Sequence, residues 1–159
     1  CYPTASSLSV LPLLSAGLVE RDGIVIDAKS GTTGGGRKAA EEWSFSEIDG
    51  DFRAYRVLKH QHTPEIERVL GLGGHPGVRV TFIPHLLPLR RGILATTYAR
   101  LRPGVADADV QAALVAFAKE RPFVRVVSPE EVTLHASAGT NRVVLGARAD
   151  VERGVVVSL

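Results

Sequence analysis

Methionine is absent from the chain, and cysteine and tryptophan occur once each. A lone cysteine cannot close an internal disulfide, which excludes the small secreted scaffolds stapled by cystine and points to a reducing, cytoplasmic compartment. Because that cysteine is the first residue and no methionine stands anywhere, translation of the natural protein is expected to start upstream. Long apolar runs are lacking too. None approaches the roughly 20 residues that cross a bilayer, and no charged segment precedes the modestly apolar start, so neither a membrane span nor a signal peptide is expected. Nor is charge of one sign in excess: 19 basic and 17 acidic residues, scattered along the chain, leave a net charge of +2. The basic stripe of a nucleic-acid binder is missing, and partners are expected among small molecules and other subunits.

What is present suffices for one core, since 159 residues with 45% hydrophobic content suit a single domain over residues 1–159. Thr4 to Gly17 reads as a helix, with Pro3 in its first turn, Leu8, Leu11 and Leu14 at helical spacing, Pro12 as a kink and Gly17 as the stop. Ile24 to Ala28 suits a buried strand that feeds a glycine-rich segment, Ser30 to Gly36. Arg53 to Leu58, Val78 to Ile83 and Ile93 to Leu101 carry β-prone residues, the second with Val78, Val80 and Phe82 on one face. A helix over Thr63 to Leu70 follows from Thr63 as N-cap, Pro64 behind it and Glu65 and Glu67 in the first turn. Asp107 is expected to cap another, with Val110, Leu114, Phe117 and Ala118 on one face and Pro122 beyond its end. Val124 to Val127, Arg142 to Ala149 and Val155 to Leu159 read as further strands, the last breaking off without turn or cap, so a second boundary is expected there. This succession predicts an α+β fold: a mixed, largely antiparallel sheet with helices on one face.

Cys1 precedes a helix N-terminus, where unpaired N–H groups and the helix dipole favour a thiolate, a placement suited to a nucleophile. His60 and His62 close a strand two residues apart and so share a face, where the imidazoles can act together. A metal would need a third ligand at a telling spacing, and none is offered. A helix starting just after His62 disfavours the imidazolium and keeps that ring able to accept a proton. The segment Ser30 to Arg37 offers backbone N–H groups and a cation to an anion, though a loose surface loop is an equal reading. Gly31 and Gly36 have the P-loop interval, but Arg37 and Lys38 replace its lysine and hydroxyl residue, which excludes a P-loop nucleotidase. Arg90 and Arg91, ahead of an apolar strand, suit a carboxylate held by two parallel hydrogen bonds or a solvated strand end. His75, His85 and His135 have no partner pattern and read as structural.

Taken in order, Cys1-Tyr2-Pro3-Thr4, Ser30-Gly31-Thr32-Thr33-Gly34-Gly35-Gly36-Arg37, His60-Gln61-His62-Thr63-Pro64-Glu65-Ile66 and Arg91-Gly92-Ile93-Leu94-Ala95-Thr96 resemble the N-acetyl-gamma-glutamyl-phosphate reductase family of arginine biosynthesis. Thr33 and Gly35 replace a usual serine and alanine. The resemblance implies the C-terminal domain of a two-domain enzyme related to aspartate-semialdehyde dehydrogenase, with a glyceraldehyde-3-phosphate dehydrogenase-like fold. An NADP-binding Rossmann domain would precede it and a terminal helix would follow. It implies that NADP(H) is bound mainly by that other domain, that Cys1 attacks an acyl phosphate to form a thioester, and that His62 moves the proton, with His60 and Glu65 in support. Arg91 would grip the substrate's α-carboxylate, and Ser30 and Gly31 would line the site near the nicotinamide or the leaving phosphate. A homodimer or homotetramer is implied, and the fragment alone is expected to be inactive. Rival readings are the lysine-pathway aminoadipyl-phosphate reductase and an N-terminal cysteine hydrolase using the α-amine of Cys1 as base.

Overall fold

The computed structural model describes residues 1–36 and 40–159; Arg37 and Lys38 of the glycine-rich segment therefore lie outside the described residues. The chain opens with helix α1, Tyr2–Ser15, in which Pro3 occupies the first turn and Pro12 lies inside the helix. Gly17 ends it, with φ at +69°. Its N–H donates to the Leu14 carbonyl and that of Leu18 to Leu13, a pairing that satisfies two of the last carbonyls and needs a left-handed residue at Gly17. The helix buries Tyr2, Ser6, Ser9, Val10, Leu13 and Leu14, more of its circumference than the leucine spacing predicts.

Strand β1, Ile24–Ser30, buries alternate residues and runs two positions further than expected, so that Ser30 lies within the sheet. A short helical turn, α2 at Phe45–Ile48, leads to strand β2, only Arg53–Ala54. The expected strand to Leu58 fails because Arg56 and Leu58 take positive φ values of 45° and 57°, which turn the chain out of the sheet. Helix α3, His62–Leu72, starts before its expected cap. Pro64 is tolerated there because the first turn's N–H groups have no intrahelical partner. Gln61 takes the cap position and the Thr63 hydroxyl is buried without a partner among the described residues.

Strand β3 is Val80–Leu86, later than expected, and strand β4 is Ile93–Arg100. Helix α4, Asp107–Ala118, is capped at Ala106 rather than Asp107. Asp109 accepts from the Ala106 N–H, which leaves Asp107 free to accept from the Ala149 N–H at 2.7 Å. Val110 and Leu114 are fully buried, while Phe117 is half-buried beneath the Arg121 guanidinium. Strand β5 (Val124–Val126) and the short helix α5 (Leu134–Ser137) precede strands β6 (Val143–Leu145), β7 (Ala147–Asp150) and β8 (Val155–Ser158). The expected strand Arg142 to Ala149 is thus two strands of different sheets, parted at Gly146. A side chain there would lie 2.9 Å from Val132 and 3.0 Å from the Val127 carbonyl, so only glycine admits the crossing.

The main sheet has the order β2-β3-β1-β4-β8-β7, and a small parallel pair joins β5 and β6. Within the main sheet β1 and β3 run parallel and all other neighbours antiparallel. Helices cover one face: α1 packs on β4 and against α3 and α4, α3 on β3, and α4 on β7. Ile24, Ile26, Phe82, Ala95 and Val156 point into the resulting core with Val10, Leu13, Ile66 and Leu114. Each fully buried side chain of this size contributes about 1.5–3 kcal/mol. Ser9 joins α1 to β4 by bonding the Thr97 hydroxyl and its own Ser6 carbonyl. On the other face Asp27 bridges Lys29 and His85, each at 3.0 Å.

Candidate active site

The pivot between β1 and α1 gathers the residues singled out from the sequence. Cys1 is the N-cap of α1 and exposed. With His60, His62, Ser30 and Gly31 it lines a cavity of about 420 Å³. His60 and His62 do not share a strand. They sit on the turn entering α3, yet their ring centroids lie 4.8 Å apart. The His62 N–H donates to His60 Nδ1 at 3.2 Å, so that nitrogen is an acceptor and a neutral His60 carries its proton on Nε2. Only 6% of His60 is exposed. Burial above all, then the neighbouring His62 and Arg56, hold its pKa below the usual histidine value. His62 is more open, with Nε2 3.7 Å from a Glu65 carboxylate oxygen and Nδ1 without a partner among the described residues.

Behind the histidines stands an aromatic wall. Tyr2 packs edge-on to His60, His62 and Phe82, with centroids at 5.7, 6.1 and 5.2 Å. Its hydroxyl donates to the His85 carbonyl at 3.0 Å and accepts from Tyr55 at 3.4 Å. Burial, then the Tyr55 hydroxyl, pushes the Tyr2 phenol far above its ordinary range, so it stays protonated. Tyr2 is therefore scaffold rather than acid or base.

The described part of the glycine-rich turn is fastened by its own backbone. Gly31 donates to the Gly92 carbonyl, Thr32 to Leu89 and Thr33 to Arg90, while Gly34 and Gly36 bond within the turn. Those N–H groups are consumed in fastening the turn to the start of β4. A methyl group at Gly31 would stand 2.8 Å from the Arg91 nitrogen and the Leu89 oxygen, which explains glycine there. Ser30, Gly31, Gly34 and Gly35 leave one cavity wall almost free of side chains.

Arg91 is not brought into this cavity. It is exposed and lines an adjoining one of about 510 Å³ with Arg90, Thr33, Leu134 and His135. His135, expected to be structural, is an exposed part of that wall, whereas His75 is packed against Ser15 at 3.3 Å. Among the described residues no three His, Cys, Asp or Glu side chains converge as a metal would require, and no helix is long and apolar enough to cross a membrane.

A cysteine at a helix start facing two histidines across a glycine turn is an arrangement that comparison with known proteins can place. The family model for the semialdehyde dehydrogenase dimerisation domain matches residues 1–159. This chain belongs to that family. N-acetyl-gamma-glutamyl-phosphate reductase of Crocosphaera subtropica is 45% identical over 164 residues, covering 99% of this chain and 46% of that protein. The enzyme of the same name from Rhodospirillum rubrum is 45% identical over 159 residues, 99% of this chain and 45% of its own length. This semialdehyde dehydrogenase dimerisation domain thus spans a little under half the length of the curated relatives it matches. Among solved structures, aspartate semialdehyde dehydrogenase from Francisella tularensis superposes with a TM-score of 0.73 over 98% of this chain and 57% of its own. At 13% identity that likeness carries the fold alone: the mixed, mostly antiparallel sheet with helices on one face.

Sequence reasoning missed Tyr2, Trp43, Tyr55 and Arg56 as residues lining the Cys1 cavity. Tyr55 and Arg56 were concealed within what reads as a strand. The signal that could have exposed them is the clustering of aromatic residues just before His60.

Proposed function

We propose that the protein carrying this chain reduces N-acetyl-gamma-glutamyl phosphate to N-acetylglutamate 5-semialdehyde with NADPH, through a thioester on Cys1, in the cytoplasm as a step of arginine biosynthesis. The observation that carries this reading is the meeting of Cys1 with His60 and His62 in one cavity. The relatives named N-acetyl-gamma-glutamyl-phosphate reductase support the substrate.

The first turn of α1 offers unpaired N–H groups and its dipole to negative charge at Cys1 Sγ. Attack of Sγ on the acyl carbonyl forms the C–S bond while the C–O bond to phosphate breaks, and the electron pair leaves with the phosphate, which takes up the proton consumed overall. NADPH, when bound, supplies the hydride that reduces the thioester carbonyl. His62 holds a proton on the resulting hemithioacetal oxygen and takes it back as the aldehyde departs and the thiolate returns. His60, buried and fixed by the His62 N–H, positions that ring, and Glu65 steadies Nε2 from the first turn of α3.

The wall of Ser30, Gly31, Gly34 and Gly35 fits the flat face of a nicotinamide, and Ser30 and Gly31 are the residues that would touch it. The rest of the dinucleotide belongs to the remainder of the protein, which we read as a Rossmann domain before Cys1 and a terminal helix after Leu159. The share of each relative lying beyond this chain supports that reading. Arg91 is kept for the substrate's α-carboxylate, reached from the adjoining cavity. Two or four copies would associate through this half, in keeping with the family's description as a dimerisation domain.

The test uses the full-length protein, following NADP⁺ reduction with N-acetylglutamate semialdehyde and phosphate for wild type and Cys1→Ser. Activity in the first and none in the second is expected. Preference for a semialdehyde one methylene longer would move the enzyme to the lysine pathway, and activity surviving the substitution would remove Cys1 as nucleophile.

A further inference from the structure

We propose that Arg56 holds the phosphoryl group of the acyl phosphate in the Cys1 cavity, and inorganic phosphate in the reverse reaction. This rests on the thioester reading above and names the phosphate subsite within it.

An acyl-phosphate reductase has to place a doubly charged leaving group one bond from the carbonyl that Cys1 attacks, so an anion site must adjoin Sγ. Most of the described donors of the glycine-rich turn do not supply it, because the N–H groups of Gly31, Thr32, Thr33, Gly34 and Gly36 are given to backbone carbonyls. Arg90 and Arg91 do not supply it either, since both line the adjoining cavity. Among the described residues lining the Cys1 cavity, Arg56 carries the positive charge. It enters no ion pair among the described residues, Glu42 on the same cavity included.

The backbone fixes where Arg56 stands. Arg56 has φ at +45° and Leu58 +57°, left-handed conformations that cost roughly 1–2 kcal/mol each and turn the chain out of the sheet at the cavity's edge. The turn breaks β2 after Ala54, is closed by the Lys59 N–H donating to the Arg56 carbonyl at 2.9 Å, and puts Arg56 on the cavity wall with His60. That proximity is felt electrostatically, since Arg56 is one of the groups that disfavour a charged His60. An anion between Arg56 and the histidines would meet a planar fork of donors with the geometry phosphate accepts. During acylation the C–O bond breaks and charge accumulates on the departing phosphate; the fixed guanidinium stabilises that charge without reorganising. In the reverse direction it orients phosphate oxygen toward the thioester carbon.

The experiment uses the full-length protein, assayed with semialdehyde, phosphate and NADP⁺. Arg56→Asn removes the charge with a residue that accepts the left-handed turn, and Arg56→Lys restores it. In Arg56→Asn the KM for phosphate should rise roughly ten- to a hundredfold, the range for a lost charge-assisted hydrogen bond, with the KM for the semialdehyde nearly constant and most of the loss recovered by lysine. A second readout needs no turnover: inorganic phosphate should slow alkylation of Cys1 by iodoacetamide in wild type and Arg56→Lys but not in Arg56→Asn. An unchanged phosphate KM with undiminished protection overturns the proposal, and so does a rise in semialdehyde KM instead, which would assign Arg56 to the α-carboxylate. If wild type fails to reduce NADP⁺ at all, the proposed function falls, and the alkylation arm still decides whether Arg56 holds phosphate.

Discussion

The hydroxyl of Tyr2 donates to the backbone carbonyl of His85 at 3.0 Å, tying the first turn of α1 to β3 directly behind the two histidines. Tyr2→Phe keeps the ring against His60, His62 and Phe82 but removes that half-buried hydrogen bond. The expected cost is about 1 kcal/mol in denaturant unfolding, with the turnover of the whole enzyme little changed. Tyr2→Ala should cost about 3–5 kcal/mol and lower turnover as well, because the wall supporting the rings is gone.

Stability should fall as the pH drops below neutrality. His60 and His75 are both held below the ordinary value of 6.5, His60 by burial and its charged neighbours, His75 by burial and Arg21. An unfolded chain therefore binds protons near pH 6.5 that the folded chain refuses, so unfolding becomes easier from there down to the depressed folded values. Thermal melting between pH 7.5 and 5.5 should show the decline. His75→Gln should make it shallower; a curve unchanged by this substitution would remove His75 from the account.

The two histidines should respond unequally to asparagine. Asparagine at position 60 can still accept from the His62 N–H, as Nδ1 does now, so His60→Asn should keep a substantial part of kcat. His62→Asn removes the proton carrier and should lower kcat by about a hundredfold or more. Equal losses in both would mean that the pair acts as a unit.

Gly31→Ala should be harmful out of proportion to its size. The added methyl meets backbone atoms at 2.8 Å, which cannot rotate away, and the whole turn must shift from β4. A loss of about 1–3 kcal/mol is expected, together with a raised KM for the dinucleotide. Normal stability with a raised KM would show that the turn yields locally.

The fold class was legible because strands such as Ile24 to Ser30 alternate cleanly and helices such as α4 carry Val110 and Leu114 at helical spacing. The motifs at Cys1, Ser30 and His60 were grouped through the family resemblance, and all three line one cavity. What escaped depends on contacts distant in sequence. No local pattern says that Arg56 and Leu58 turn left-handed, that Gly146 divides one β-prone run between two sheets, or that the N–H groups after Ser30 are claimed by Leu89, Arg90 and Gly92. The α3 start was misjudged because Thr63-Pro64 is a strong local signal, overridden by the bond that seats His62 on His60.

The borders of the main sheet bear on how this chain behaves in a crowded solution. At one border the Ala149 N–H is taken by Asp107, and the Ala147 carbonyl accepts from Gln111 at 2.7 Å, so α4 closes the outer rail of β7. At the other, β2 is two residues long, and Pro84, whose carbonyl accepts from the Tyr55 N–H, has no donor to present on the same side. Along these stretches the borders do not present the free donors and acceptors that recruit a foreign strand and seed fibrils.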